Sequence, residues 1–510
     1  MATEWNLLSL TYGLLLSFAI LFCIYMYRTM SILRMLGVSG PTPLPFVGNL
    51  LTYRKGQRAA FAEWRRKYGR VYRIFEGLNP KLVVSDRDMV KQILVEDSTS
   101  FPFRKPLPIP TGLPSEGLTN ASSISDHRRR RGVLTPAFSP EKLKMMVPLI
   151  NRCADHLMET LEKMSREGTP FDAKRVFGCF SMDVIASTAF GIDVNSHKHP
   201  QDPFVQNAKK VDITEITALP PSVIIAGILS TFLPKYVLHK LGFAIFPADS
   251  VSFFRGVLKD IISKRTKLPP DQRRVDLLEL MTRSNEDNIH NQDDVSKIRG
   301  LSQDEIITQT VAFFVAGYSS SSGLLANVAL YLTKNPDVMD KLQHEMASVV
   351  KKTGEIQHED IQRLEYMDMV LMETLRMVQF IRIPRLCIKD TTMKWITVPA
   401  GTEVVIYTGD LHMDPGYWKD PMTFNPERFS KEERAKQDPC TFLAFGAGPH
   451  KCIGMRLALM ASKIALARLL QKYRFVPCPQ TPGRDDFSLF DYDIWVKLKQ
   501  LDDRNRSTAL

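Results

Sequence analysis

The sequence predicts a mostly α-helical protein with small β-sheets near its N-terminal side and one N-terminal transmembrane helix. Three observations carry this prediction. Helical patterns of apolar residues dominate the chain after residue 140. Short stretches of alternating polarity, such as Tyr72–Phe75 and Lys81–Val84, indicate strands. An apolar run without a charged residue extends from Trp5 to Tyr27.

Composition excludes several classes of protein. Of the 510 residues, 44% are hydrophobic and 24% are charged, which argues against a disordered chain, a collagen-like chain and a multi-span membrane protein. The net charge of +12 is typical of a partner of nucleic acid, of an anionic membrane surface or of an acidic protein, and also of scattered solvated lysines. Seven cysteines without a C-x-x-C pair favour a reducing compartment over a disulfide scaffold or a zinc ribbon.

The uncharged N-terminal run is long enough to cross a bilayer, because as a helix it would measure roughly 34 Å. Glu4 precedes it and Arg28 and Arg34 follow it, so the positive-inside rule places the rest of the chain on the cytoplasmic side. The alternative is a cleaved signal peptide, which usually has a basic start and a small-residue cleavage site. We expect an uncleaved anchor instead.

A Pro-rich segment, Gly40–Asn49, follows the anchor and carries alternate prolines that stiffen an extended backbone. It serves as a linker or as a hinge that fixes the tilt of the soluble part. The expected organisation is a membrane anchor over 1–28, a basic and Pro-rich hinge over 29–50, one mostly helical domain over 51–500 and a polar tail over 501–510.

Helix signals recur through the soluble part. Ser139 and Pro140 form an N-cap and a first turn, and Asp172 to Phe190 has the pattern of a second helix. The polar stretch Arg283 to Lys297 shows no apolar period, so we expect a surface loop there.

One predicted helix is unusually long. Ser302 and Glu305 form a capping box, and the helical pattern continues to Thr333 before Asn335-Pro336, about 32 residues or roughly 48 Å. Its middle, Ala316–Gly323, holds glycines and serines, which are poor helix formers. Small side chains at this point permit the close approach of a ligand, or mark an ordinary weak turn of a buried helix.

The segment Phe445–Gly454 indicates a reactive cysteine. Two glycines and a proline predict a tight turn, and the apolar run from Ile453 to Tyr473 predicts a helix directly after Cys452. Backbone N–H groups at a helix N-terminus favour a thiolate over a thiol, and a thiolate is an axial ligand that haem iron accepts. A purely structural cysteine is the alternative, which the flanking glycines, the aromatic residue and the helix onset disfavour.

A second pattern predicts a structural network. Glu373 and Arg376 lie three residues apart on one helix, and Arg428 follows in the turn-rich stretch Phe424–Phe429. A glutamate bound by two arginines would fix the irregular chain that precedes Cys452. Its expected role is structural.

Together these residues resemble the cytochrome P450 family, and the likeness covers nearly the whole chain. Within that family the chain is similar to the microsomal branch that holds the steroid- and drug-oxidising family 3 enzymes and thromboxane synthase. The likeness to the branch rests on Thr135–Leu143 and Gly454–Leu459. The resemblance implies a triangular helical body with small β-sheets, haem b (iron protoporphyrin IX) as cofactor, and a monooxygenase that inserts one atom of O₂ into a steroid, fatty acid or xenobiotic.

The resemblance also implies the site. Cys452 would be the axial ligand of the haem iron, and Ser319 and Ser320 would occupy the catalytic acid and alcohol positions, where Ser319 lacks the usual carboxylate. His450 and His127 stand where the family has Arg and Trp, and the usual Pro after Arg376 is missing. Further cofactor-binding residues implied by motif position are Phe445, Gly446, Gly448, His450, Arg104, Arg131, Arg385, Ala316 and Gly317.

Partners follow from the same resemblance. They are NADPH-cytochrome P450 reductase, with cytochrome b5 as a further candidate, together with O₂, a lipophilic substrate and the lipid of the endoplasmic reticulum membrane; no nucleic acid is expected. A basic face made of Arg128–Arg131, Lys142 and Lys451 would steer the acidic reductase. Two alternatives stay open: an isomerase of lipid endoperoxides similar to thromboxane synthase, which needs neither O₂ nor reductase, and a haem-binding protein without turnover.

Overall fold

The structure is a computed structural model of the whole chain. It describes residues 11–14, 16–24, 27, 37–45, 47–107, 109–212, 225–227, 229–230, 233–289, 300–350, 355–378, 382–483 and 493–501. Over these residues the protein is mostly helical, as the sequence predicts. Parts of the expected anchor (1–28), hinge (29–50) and tail (501–510) lie outside the described residues.

The helices, in chain order, are α1 (Thr11–Ile24), α2 (Gln57–Tyr68), α3 (Arg87–Lys91), α4 (Ile124–Leu134), α5 (Pro140–Glu167), α6 (Ala173–Ile185), α7 (Pro203–Lys210), α8 (Lys235–Lys240), α9 (Ala248–Thr266), α10 (Leu277–Ile289), α11 (Gln303–Lys334), α12 (Pro336–Val349), α13 (His358–Arg363), α14 (Glu365–Met377), α15 (Thr408–His412), α16 (Lys431–Lys436) and α17 (Met455–Leu470). The strands are β1 (Val71–Glu76), β2 (Asn79–Val84), β3 (Phe171–Asp172), β4 (Arg382–Leu386), β5 (Thr391–Met393), β6 (Ile396–Val398), β7 (Glu403–Tyr407), β8 (Tyr473–Val476) and β9 (Trp495–Gln500).

The chain divides into two compact units, each built from three segments. The first consists of Met1–Lys105, Gln379–Lys419 and Asp438–Lys451, and the second of Pro106–Val378, Asp420–Gln437 and Cys452–Leu510.

The first unit is built on a four-stranded sheet with the order β1-β2-β7-β4. β1 and β2 form an antiparallel pair, β2 and β7 run parallel, and β4 and β7 are antiparallel. One face of the sheet packs against α2, where Phe61 stacks on Tyr407 with ring centroids 4.3 Å apart. A larger apolar cluster contains strand residues such as Val404. Ile93 and Leu94, which follow α3, and Leu443 belong to the same cluster. β5 and β6 form a separate hairpin.

A buried carboxyl group lies in this unit at α15. Burial and the nearby Asp414 raise the pKa of Asp410 to about 8, although the Arg65 guanidinium opposes the shift. The Oδ2 atom of Asp410 is buried and accepts no hydrogen bond from any residue that the structure describes. The charged form of Asp410 is therefore disfavoured in the folded chain.

This carboxyl group should make stability fall as the pH rises. Between its unfolded pKa of about 4 and its folded pKa of about 8, the folded chain keeps a proton that the unfolded chain releases. The free energy of unfolding then declines by about 1.4 kcal/mol per pH unit across that window. We expect Asp410→Asn to flatten the decline and to raise the thermal midpoint at pH 8 more than at pH 5. Asp155→Asn, at an exposed ion pair with Arg468, should change neither; an unaltered slope in Asp410→Asn would contradict the assignment.

The second unit is helical and is organised around α11. Ser302 and Glu305 form its capping box, with Ser302 N donating to Glu305 Oε2 at 2.8 Å and Glu305 N donating to Ser302 Oγ at 3.2 Å. The helix has 32 residues and ends at Lys334, with Asn335 as its C-cap before Pro336, so its predicted start, length and stop are confirmed. α6 packs along it, and α17 packs against both α11 and α5. A small sheet in the order β3-β9-β8 completes the unit.

Among the described residues, α11 is the one helix long and apolar enough to cross a membrane, and most of its side chains in the C-terminal half are buried as in a core helix. The shorter apolar helix α1 covers part of the predicted anchor Trp5–Tyr27. Residues 5–10, 15 and 25–26 of that prediction lie outside the described residues.

Two predicted boundaries are wrong. The stretch that begins at Arg283 was expected to be a loop, but its first residues belong to α10. Asp276 caps this helix by accepting from Glu279 N at 2.9 Å, and Arg283 Nε donates to Glu279 Oε1 at 2.8 Å across one turn, so the helix extends past its apolar part. The helix after Cys452 ends at Leu470 and not at Tyr473, because Tyr473 begins β8.

Candidate functional site

The tight turn before Cys452 depends on two glycines with left-handed backbone angles. Gly446 has φ +68° and Gly448 has φ +67°, and Gly448 to His450 form a short 3-10 turn with Pro449 inside it. At Gly448 the backbone also passes close to a neighbour, since a Cβ atom there would lie 1.8 Å from the carbonyl oxygen of Leu94. The loop can take this path only with glycine at position 448.

The two glycines therefore offer a matched comparison. Gly446→Ala introduces only left-handed backbone strain, worth about 1–2 kcal/mol. It adds no steric overlap, because the nearest neighbour of the new Cβ, the His450 oxygen, is 4.0 Å away. Gly448→Ala adds the overlap with Leu94 to the same strain, so we expect a loss of about 3 kcal/mol or more. Thermal unfolding of both variants measures the difference, and equal midpoints would show that the close approach to Leu94 is unimportant.

Cys452 lies two residues before Gly454, which is the N-cap of α17, and its side chain is exposed. Arg131, at the C-terminal end of α4, is close enough for its charge to interact with this sulfur; burial lowers the pKa of Arg131 and the Cys452 charge opposes that shift. A nearby guanidinium stabilises a thiolate relative to a thiol. The predicted ligand thus lies within reach of a predicted cofactor-binding cation.

Two further arginines meet in the other unit. Arg385 in β4 is buried, and burial together with the like charge of Arg104 lowers its pKa to about 10. Arg104 is itself more exposed, yet the surrounding protein still lowers its pKa by desolvation. Within the described part of the chain neither guanidinium forms an ion pair, and Arg385 Nη1 donates only to the carbonyl oxygen of Pro384, at 2.8 Å. Two neighbouring cations without a carboxylate have the charge that an anionic group requires.

Three further positions singled out in the sequence are at least half-buried. Phe445 and His450 are half-buried in the same unit as Gly446 and Gly448. His127, on α4, is buried in the second unit.

The predicted basic face is smaller than the sequence suggested. Arg129 and Arg130 turn inward: Arg129 forms an ion pair with Glu305, and Arg130 Nε donates to Glu305 Oε1 at 3.0 Å. Glu305 is the capping residue of α11, and desolvation works against its charge while these hydrogen bonds lower its pKa to about 2. Of the arginine run, Arg128 stays exposed. Arg129 and Arg130 attach α4 to the start of α11.

The middle of α11 combines an open surface with close packing. The Ala316 side chain is exposed, whereas a Cβ atom at Gly317 would lie 2.6 Å from Cδ1 of Ile185 in α6. Ser320 Oγ donates to the carbonyl oxygen of Ala316 at 2.6 Å. The two small residues thus have different roles: Gly317 permits α6 to approach, and Ala316 leaves one face of the helix accessible.

Ser319 faces α6 and not the open side. It is buried, and the ammonium group of Lys174 donates to its carbonyl oxygen at 2.6 Å and to its hydroxyl at 3.1 Å. No local pattern indicated Lys174, because this partner of Ser319 lies on another helix, 145 positions away along the chain.

The predicted structural network is assembled in the second unit. Arg376 and Glu373 are both 0% exposed and form a bidentate pair, with N···O distances of 2.7 and 2.8 Å. Arg428 Nε lies 3.4 Å from Glu373 Oε1. Asn425 N also donates to Glu373, and Arg376 Nη1 donates to the carbonyl oxygen of Pro421 at 2.8 Å. Because these bonds fix main-chain atoms, the network holds the irregular segment around residues 420–428.

Comparison with known proteins agrees with these observations. A family model described as Cytochrome P450 matches residues 38–495. The chain is 38% identical over 481 residues to cytochrome P450 3A7 of Homo sapiens, covering 93% of each chain. It is 38% identical over 466 residues to cytochrome P450 3A29 of Sus scrofa, covering 90% of each chain. With cytochrome P450 3A31 of Mesocricetus auratus it shares 39% identity over 448 residues, covering 87% of this chain and 86% of the relative.

Proposed function

The chain belongs to the cytochrome P450 family and is similar to its family 3 members, and from this premise we propose that it oxidises lipophilic substrates with O₂ and electrons from NADPH. The expected family and branch are confirmed, and so is the enzyme class. The observation that carries the finer proposal is the Cys452 loop, which retains its cysteine, Gly446 and Gly448 in a chain that matches the family over residues 38–495.

The residues present fit a haem. An exposed cysteine beside Arg131 suits a thiolate ligand, and the two neighbouring cations Arg104 and Arg385 suit a propionate carboxylate. We therefore assign the iron ligand to Cys452 and the propionate contacts to Arg104, Arg131, Arg385 and His450. When bound, the haem supplies O₂ activation, by which one oxygen atom enters the substrate and the other leaves as water.

The chain's own residues serve this chemistry by position and charge. Arg131 favours the anionic form of Cys452, and Gly448 lets the loop before the ligand fold. The exposed Ala316 leaves room beside α11 for a bulky substrate. Ser320 provides a hydroxyl at the position where the family usually has an alcohol. This hydroxyl donates to the Ala316 carbonyl oxygen one turn earlier in the same helix.

Electron supply is assigned to NADPH-cytochrome P450 reductase, with cytochrome b5 as a further candidate, at the endoplasmic reticulum membrane. The proposed organisation is the anchor over 1–28, the hinge over 29–50, the catalytic domain over 51–500 and the tail over 501–510, with the catalytic domain on the cytoplasmic side. Exposed Arg128 and Lys451 and half-buried Lys142 remain available for an acidic partner, whereas Arg129 and Arg130 are engaged with Glu305.

The missing carboxylate at Ser319 favours a second candidate function, the isomerisation of lipid endoperoxides. Ser319 has no carboxylate and is bound by Lys174, so the usual acid is missing from α11. An isomerase of lipid endoperoxides would not need that acid, because its substrate already contains an O–O bond. The Ser320 hydroxyl favours the monooxygenase.

The test separates the two functions by their need for electrons. Purified full-length protein is combined with reductase, NADPH and a panel of steroids, fatty acids and drug-like compounds. Product that requires NADPH and O₂ supports the proposal. Turnover of a prostaglandin endoperoxide without reductase would replace it with the isomerase, and NADPH consumption without product from any substrate would favour a haem protein without turnover.

A further inference from the structure

Lys174 is an unusual side chain because it is almost fully buried in a helix interface. It lies in the first turn of α6, is 2% exposed, and extends to the middle of α11. The ammonium group contacts both polar atoms of one residue there, the carbonyl oxygen and the hydroxyl of Ser319. A buried ammonium group loses its hydration, and it is retained only where it gains strong hydrogen bonds.

These contacts act on the backbone of α11. The carbonyl oxygen of Ser319 accepts from Lys174 Nζ at 2.6 Å and from Ser322 Oγ at 3.1 Å. A carbonyl oxygen has two lone pairs, so two side-chain donors compete with the backbone N–H one turn later. One turn earlier the Ser320 hydroxyl donates to the Ala316 carbonyl oxygen in the same way. Side-chain donors therefore bind carbonyl groups on two successive turns of α11, one at Ala316 on the open face and one at Ser319 on the α6 side.

The packing around this turn leaves little freedom for another arrangement. Gly317 lies against Ile185, and the Tyr318 ring lies over Gly178 of α6, where a Cβ atom would be 3.3 Å from the Tyr318 hydroxyl. Tyr318 also stacks on Phe314, with ring centroids 5.5 Å apart. The helix is thus fixed on its α6 side by close packing, and Lys174 adds a polar contact within that packing.

We infer that Lys174 is a positioning residue for oxygen activation: by holding Ser319 it sets the turn of α11 that presents Ala316 and Ser320. The inference rests on the proposed function for its catalytic consequence. In this chain Ser319 stands where the family usually has a carboxylate, and the Lys174 ammonium group on α6 fixes this turn of α11. Lys174 itself is not assigned contact with substrate or cofactor.

The test compares Lys174→Met with a matched control, Lys463→Met. Lys463 is also buried in the second unit, and its Nζ donates to the Ile361 carbonyl oxygen at 2.9 Å and to Asp368 at 2.7 Å. Two quantities are measured on each haem-loaded, full-length variant: amide hydrogen exchange over residues 316–323, and product formed per NADPH consumed. The substrate dissociation constant, from spectral titration, and the thermal midpoint are recorded beside them.

For Lys174→Met we expect exchange over 316–323 to accelerate about tenfold and product per NADPH to fall about threefold or more, with hydrogen peroxide in place of product. The substrate dissociation constant should stay within about twofold. Lys463→Met should show neither change at a comparable thermal midpoint. If both variants behave alike in exchange and in coupling, Lys174 merely fills space and the inference is overturned.

If Lys174→Met does not load haem, Ser319→Ala tests the contact between Lys174 and Ser319 instead. It removes the hydroxyl contact and keeps the carbonyl contact, so we expect a smaller loss, about twofold in product per NADPH; an unchanged ratio overturns the inference. Failure of the proposed function has a different signature, because the unmodified chain would then yield no product. In that case the exchange comparison alone decides whether Lys174 holds the turn.

Discussion

Replacement of Cys452 with alanine is expected to abolish the red-shifted band in the reduced-CO difference spectrum and to reduce product formation to background. The band reports a thiolate bound to ferrous haem, and we assign that thiolate to Cys452, which is exposed and lies just before the onset of α17. Alanine removes the sulfur and leaves the turn at Gly448 unchanged. The unmodified protein should show the band after expression with ample haem.

Cys478→Ala is the control for this experiment. Cys478 lies in the same unit, partly buried, and its N–H donates to Thr481 Oγ1 at 2.8 Å. Its replacement should leave the band and the activity intact. A persistent red-shifted band in Cys452→Ala, or its loss in Cys478→Ala, would move the ligand to another residue and would remove the basis of the proposed enzyme.

The second large effect is expected at the buried network of α14. Arg376→Met should lower the free energy of unfolding by about 3–5 kcal/mol, because Glu373 would be left buried at 0% exposure without its bidentate partner. The segment around Pro421 would lose its anchoring donor as well. Thermal unfolding and the yield of folded protein measure the loss.

An exposed ion pair provides the comparison for Arg376. Arg474 Nη2 lies 3.1 Å from Asp340, and both side chains are substantially exposed. Arg474→Met should therefore cost no more than about 1 kcal/mol. A similar small effect in Arg376→Met would mean that the network contributes little to holding the chain near residues 420–428.

Local signals explain which parts of the fold could be predicted. The capping box of α11 lies within four residues, Ser302 to Glu305, and its geometry is as predicted. The N-cap at Ser139 and the helix that follows Asp172 are likewise local and are confirmed. The continuation of α10 beyond Arg283 was missed because polar residues there extend a helix that was already capped and nucleated upstream.

Interactions between distant positions could not be predicted in the same way. Arg129 and Arg130 belong to a charge run whose usual interpretation is a solvated surface, yet their partner Glu305 lies about 175 positions away along the chain. Lys174 and Ser319 are separated by 145 positions. The sequence indicates which residue types are present, but which cation meets which acceptor is decided by the packing of α4 and α6 on α11.

The two neighbouring arginines, Arg104 and Arg385, have a consequence for the life of the protein in the cell. Their desolvation and mutual repulsion would oppose folding unless an anion neutralised them, and a ligand that binds only the folded chain stabilises it by mass action. A newly synthesised chain should therefore be most vulnerable to proteolysis before it acquires its prosthetic group. Cells starved of iron or of porphyrin precursors would then contain less of this protein even with normal transcription.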